Sequence, residues 1–186
     1  MTNEILMGLL PVVFMLHEFE EIIMLKPWLA KNGPELERRF PAVAAKVLPL
    51  YDSLSTSAFT VAVLEEFLIL TALTYAAIAF GLHDLWAGLL VAFLFHLLVH
   101  VGQTILWRGY CPFIITSLLA LPYCLYALLT LARSGAISPG PTATWSIAAT
   151  VLVYLNLWLA LGLARRFEAW AGRAFAPVAD DGSPPA

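Results

Sequence analysis

Residues 85–107 read LWAGLLVAFLFHLLVHVGQTILW, 23 residues without a lysine, arginine, aspartate or glutamate. A run of that length suits a helix crossing a bilayer, which needs about 20 apolar residues. Its polar interruptions, His96, His100 and Gln103, are spaced four and three apart, so on a helix they form one stripe. Working outward, four more apolar stretches occur at residues 5–25, 57–80, 112–132 and 145–164, separated by proline, glycine or charge. The expected fold is all-α, a polytopic membrane helix bundle with five transmembrane helices. One domain is expected over residues 1–175, followed by a disordered proline-rich tail over 176–186.

Composition agrees with a chain in lipid. Of the 186 residues, 61% are hydrophobic and 12% charged, against about 45–50% and about 25% in an ordinary globular domain. Mean hydropathy is +0.83. These values exclude a disordered chain and a disulfide-stapled module, and a net charge of −3 with ten basic residues excludes a nucleic-acid partner. Cys111 and Cys124 have no metal-ligand spacing and read as small core residues. The first stretch begins with Glu4 rather than a basic region and no small-residue cleavage pattern follows it, so it is expected to stay as a membrane helix.

The segments after the first, third and fifth stretches share a side of the membrane and hold nine of the ten basic residues; only Arg133 lies opposite. The positive-inside tendency predicts an N-terminus outside and a cytoplasmic C-terminus. In the long connection, Leu36, Phe40, Val43, Val47 and Leu50 recur at helical spacing opposite Glu35, Glu37, Arg38, Arg39 and Lys46. A cytoplasmic amphipathic helix on the bilayer is expected over residues 34–50, with Pro34 in its first turn and Pro41 bending or splitting it. A segment packed beneath the bundle is the alternative.

Ionisable groups also fall inside the spans: His17, Glu18, Glu20 and Glu21 in the first, Glu65 and Glu66 in the second, His96 and His100 in the third, with Asn156 in the fifth. A charge at the bilayer centre costs about 2.5–3.5 kcal/mol on insertion scales, so four unpaired carboxylates would cost about 10 kcal/mol. No lysine or arginine lies within the spans to neutralise them. His17, Glu20 and Glu21 share an arc of about 100°, and at 1.5 Å per residue His17, Glu65, Glu66, His100 and Asn156 reach a common layer roughly 10–14 Å from the basic end.

Charge balance suggests what such a layer holds. Two divalent cations match Glu20, Glu21, Glu65 and Glu66, and His17, His96 and His100 complete coordination suited to iron, manganese or zinc. Soluble helix bundles build dinuclear sites from inward-facing carboxylates and histidines in this way. The expected cofactor is a divalent metal, mononuclear or dinuclear, held by His17, Glu20, Glu21, Glu65, Glu66, His96 and His100. The glutamates free of ligation, read as Glu21 and Glu66, would act as acid or base, and Asn156 would orient substrate or water.

The string His17-Glu18-Phe19-Glu20-Glu21 resembles the bacterial HXXEE-motif membrane proteins, with Pro27-Trp28, the Glu65-Glu66 pair, His96-x-x-x-His100 and Asn156 also in keeping. That family has no established activity, so the resemblance supports the residue set and a bacterial inner-membrane location without supplying a substrate. Two other comparisons depart from their patterns. His17-Glu18-x-x-Glu21 is similar to the zincin string with Glu21 in place of the second histidine, which would make Glu18 a general base. Glu65-Glu66 resembles the intramembrane CAAX proteases, but Leu70 stands where their arginine is expected.

The function expected from these residues is a metal-dependent enzyme opening to the cytoplasm and acting on a lipid or hydrophobic small molecule, a hydrolase with zinc or an oxidase or hydroxylase with di-iron. The alternatives are a proton- or cation-coupled transporter and a metal-binding sensor using the same cluster. The expected partners are the bilayer and its apolar solutes. A homodimer would supply the matched halves that five helices in one chain do not.

Overall fold

The computed structural model describes residues 2–175; the tail expected at 176–186 lies outside the described residues. Seven helices account for the regular structure: α1 (Asn3–Gly8), α2 (Leu10–Arg39), α3 (Pro41–Asp52), α4 (Thr56–Phe80), α5 (His83–Trp107), α6 (Ile114–Arg133) and α7 (Pro139–Ala174). No strand occurs among the described residues. Four of the helices, α4 to α7, are long and apolar enough to cross a membrane. They leave large apolar side chains exposed on their outer faces, including Leu68, Leu98, Leu119 and Leu152. A surface this apolar has lipid as its natural solvent.

The first stretch differs from the uninterrupted span expected at 5–25. It breaks at Leu9, just ahead of Pro11 in the first turn of α2; proline has no N–H to continue the ladder. With Glu18, Glu20, Glu21 and Lys26 aboard, α2 is not among the four helices that qualify on length and composition. At 30 residues it runs well past residue 25. Pro27 and Pro34 sit inside it with exposed side chains, so Pro34 does not open a separate helix. Each removes one backbone hydrogen bond. The loss is offset by packing of Leu25, Leu29 and Leu36 against Ala44 of α3, with Phe40, Val47 and Trp107 closing around them. Phe40 leaves the helical region and Pro41 starts α3, which divides residues 34–50 between two helices.

The bundle is stitched by α7, which packs on α5 and α4, while α2 lies between α4 and α6 and α6 rests on α5. Both ends of α7 are pinned by carboxylates. Asp84 at the start of α5 accepts from the Ser138 amide (2.8 Å) and the Thr142 hydroxyl (2.7 Å), capping the N-terminus of α7. Near the other end, Glu168 accepts from the Ser55 amide (2.8 Å) and hydroxyl (2.5 Å), and Ser55 is itself the cap of α4. Those bonds hold the Glu168 carboxyl below the usual carboxylate range. Between the pins, Ala160 and Ala164 meet Ala58 and Ala62, small residues that allow the close approach common between membrane helices.

Gly88 serves the same purpose where α5 meets α7. A Cβ there would lie 2.6 Å from the carbonyl carbon and 2.8 Å from the carbonyl oxygen of Trp145, and backbone cannot step aside as a flexible side chain would. Gly162, in α7, has nothing within 4 Å of its would-be Cβ. Gly88→Ala is expected to destabilise the protein by about 1–3 kcal/mol through overpacking, whereas Gly162→Ala should be neutral or stabilising by up to about 1 kcal/mol. Thermal unfolding of the two variants in detergent checks that order.

Candidate metal centre

The motif on α2 is a fan, because successive residues turn by 100°. With His17 as reference, Glu21 is about 40° away, Glu18 about 100° in the same sense and Glu20 about 60° in the other. Since α2 lies between α6 and α4, the fan addresses both neighbours and the bundle interior at once.

Glu20 faces α6. Its carboxylate accepts from the Thr116 amide (2.8 Å), the Thr116 hydroxyl (2.6 Å) and the Tyr110 hydroxyl (2.9 Å). Thr116 lies in the first turn of α6, where backbone amides lack helical partners and an anion is favoured. Burial and the neighbouring carboxylate push the Tyr110 phenol up to about 12, so it remains a donor at neutral pH. Glu20 is thus occupied in joining α2 to α6 and lies outside the group described next.

His17 and Glu21 point inward and meet His96 and His100 of α5. The Nε2 of His96 lies 3.2 Å from that of His17 and 2.8 Å from that of His100. Glu21 Oε1 is 3.0 Å from His100 Nε2 and 3.8 Å from His17 Nε2. One ligand atom from each of the four residues falls within 4.8 Å of the others. For four nitrogen or oxygen ligands about 2.0–2.1 Å from a tetrahedral ion, the ligands would be about 3.3 Å apart. His17 and His100 are buried, and His96 and Glu21 are half-buried.

Proton placement sharpens the geometry. The Thr116 hydroxyl gives its hydrogen to Glu20, so its oxygen accepts from His17 Nδ1, 3.1 Å away. His100 Nδ1 donates to Gln103 Oε1 at 2.9 Å. Neutral imidazoles held in this way have their N–H on Nδ1 and a bare lone pair on Nε2. His96 has one Nε2 hydrogen at most, enough for one of its two neighbours. Glu21 Oε1 is buried with no hydrogen-bond donor. At least one nitrogen lone pair and one carboxylate oxygen are left facing the centre without a proton to share. Outer hydrogen bonds that fix the tautomer of a ligating histidine are a regular part of metal sites.

The remaining expected residues form an adjoining group. Asn156 Nδ2 of α7 donates to Glu65 Oε2 of α4 at 2.9 Å. Glu66 follows Glu65 on α4 and is half-buried, and Glu18 is buried on α2. The structure therefore brings His17, Glu21, His96 and His100 to one point, with Glu65 bound to Asn156 and Glu20 turned to α6. Thr116 is a contributor that sequence reasoning missed. A lone threonine in an apolar run carries no pattern, and its partner His17 is 99 positions away.

An all-helical chain with four membrane-length helices and a buried His/Glu cluster of metal-binding dimensions defines the class. A family model described as a protein of unknown function with HXXEE motif matches residues 8–127, and the chain belongs to that family. No curated protein and no solved structure matches it.

Thr116→Val removes the acceptor that fixes His17. Divalent-metal affinity is expected to fall about 10–100-fold, the usual effect of losing an outer-shell partner. Chelator competition on purified protein measures it, with circular dichroism confirming unchanged helix content.

Proposed function

We propose that the chain is a multi-pass metal-dependent enzyme of the bacterial inner membrane, acting on a lipid or another hydrophobic small molecule. In this reading α2 is a fifth crossing, the N-terminus lies outside and the C-terminus in the cytoplasm. The sorting of basic residues supports that orientation. The outward face of α2 supports the fifth crossing: Val12, Leu16, Phe19 and Ile23 recur three or four apart and are all exposed, while His17, Glu18 and Glu21 are turned inward.

The observation that carries the proposal is the convergence of three imidazole Nε2 atoms and the orphan Oε1 of Glu21, with the outer nitrogens of His17 and His100 already bonded. Such a donor set fits zinc, iron or manganese. Zinc would supply a water acidic enough for hydrolysis near neutral pH, and iron would supply oxidation chemistry. Glu66 and Glu18 lie close enough to serve as acid or base, or to help hold a second ion, and the Glu65–Asn156 pair is placed to orient a polar group. Glu21, read above as either ligand or base, is assigned here as ligand.

A proton- or cation-coupled transporter would use the same residues but needs a polar route to both faces. Beyond the histidines, towards the Gly81 turn, Leu10, Phe14, Trp86, Leu90, Phe93 and Leu131 fill the bundle with apolar packing. That plug favours a site served from one end or from the side.

Elemental analysis of protein purified without chelator tests the reading. We expect near-stoichiometric transition metal in the wild type, its loss in His96→Ala and His100→Ala, and its retention in Glu65→Gln. Well-folded wild-type protein that neither contains nor takes up metal would overturn the metalloenzyme.

A further inference from the structure

We infer that a window framed by α4, α5 and α7 opens sideways from the bilayer to the His/Glu cluster and admits the polar end of a membrane lipid. The inference rests on the proposed function and adds the substrate class and its route.

It begins with one stripe of α7. Residues 149, 153, 156, 160 and 164 lie within about 80° of one another on the helix. Ala149, Ala160 and Ala164 are buried, at 6%, 0% and 0% exposed, yet Val153 on the same stripe is 46% exposed. Residues 151–155 are all exposed, as are 157–159, so through the middle of the helix the half-buried Asn156 alone meets the bundle and no apolar side chain is packed against it. About 15 Å of α7 is thus without apolar packing between two anchors. These are the Asp84 cap with the Gly88–Trp145 contact at one end, and the alanine contacts with the Glu168–Ser55 clasp at the other.

The hydrogen bond from Asn156 to Glu65 crosses this opening. Counted from the Gly88–Trp145 contact, Val153 and Asn156 of α7 stand at the depth of His96 and His100 on α5, and Glu66 follows Glu65 on α4. The window thus has an apolar frame at bilayer depth and a polar floor. Close-packed interiors leave few voids larger than a water molecule, and an acyl chain is the material at hand on the lipid side. An amphiphile seated there would keep its chain in the bilayer and bring its head group to Asn156, Glu65 and the metal ligands.

The test is photolabelling in nanodiscs made with a phosphatidylcholine whose acyl chain carries an alkyl diazirine close to the head group. On irradiation the diazirine loses dinitrogen to give a carbene that inserts into C–H bonds it touches, or isomerises to a diazoalkane that takes the proton of a carboxylic acid, loses dinitrogen and is captured by the carboxylate as an ester. We expect adducts on Glu65 or Glu66, which sit behind the window, besides those on outward-facing Ile147 and Leu155. Val153→Trp should cut the glutamate adducts severalfold and leave the outward ones unchanged, while Val153→Leu, a milder change, should reduce them less. Outward adducts without any on Glu65 or Glu66 in the wild type would overturn the window. So would glutamate adducts unaffected by the tryptophan. Protection of residues 151–159 in a cross-linkable dimer would assign the opening to a second copy and overturn lipid entry. Metal analysis of the same samples separates the two readings, since metal without glutamate labelling removes only the window and labelling without metal removes only the metal centre.

Discussion

Three imidazoles and a carboxylate meet with no lysine or arginine paired to them among the described residues: α5 carries neither, and Lys26, five positions beyond Glu21 on α2, gives its Nζ to the Tyr51 carbonyl. A buried carboxylate without a cation must take a proton or find hydrogen-bond donors. Glu20 takes the second course, spending its oxygens on the amide and hydroxyl of Thr116 and on Tyr110. Glu21 has no such donors at Oε1 and is left to its histidine neighbours. Two glutamates adjacent in sequence thus meet the same penalty in different ways. The difference fixes what each can do: Glu20 builds structure and Glu21 remains available.

The motif organises the bundle as well as the site. Neighbouring residues on α2 face α6 through Glu20 and α5 through His17 and Glu21, with Glu18 buried next to them. Because the Thr116 hydroxyl has a single hydrogen, bonding to Glu20 leaves its oxygen as the acceptor for His17 Nδ1. The joint between α2 and α6 and the tautomer of a central histidine are thereby one arrangement. A change that loosens the joint frees the imidazole to turn its proton towards the cluster.

Much of this was legible in the sequence for a simple reason: lipid penalises polar groups, so the few inside apolar runs stand out. The four apolar helices and the alignment of His96 with His100 follow from length and helical spacing alone. The depth estimate grouped Glu65 with Asn156, and those two are hydrogen bonded. It could not divide the polar layer into a His/Glu cluster and an adjoining Glu/Asn pair, because that depends on how far neighbouring helices diverge. Spacing also could not choose between Glu20 and Glu21, since both flank His17 on the helix. The choice is made by the N-terminus of α6, almost a hundred residues away. The break at Leu9 and the passage of α2 through Pro27 and Pro34 show the same limit. Whether a proline ends a helix depends on the packing that compensates for it, here the contacts of Leu25, Leu29 and Leu36.

The apolar core at the Gly81-turn end of the bundle places the histidines. Towards the Gly81 turn, Leu10 and Phe14 of α2 interlock with Trp86, Leu90 and Phe93 of α5 and with the small residues Ala120, Cys124 and Ala127 of α6. Phe14 and Phe93 meet edge to face at 5.9 Å, and His17 follows on Phe93 at the same separation. His17 is three residues beyond Phe14 and His96 three beyond Phe93, so the aromatic pair sets the distance between α2 and α5 just before the polar groups begin. Side chains positioned by a dense core are held more closely than a loop would hold them. At the level of the histidines that core gives way to carboxylates and to the exposed stretch of α7 around Asn156. The aromatic core fixes the distances between the donor atoms, and the exposed stretch of α7 leaves a side from which something can approach them.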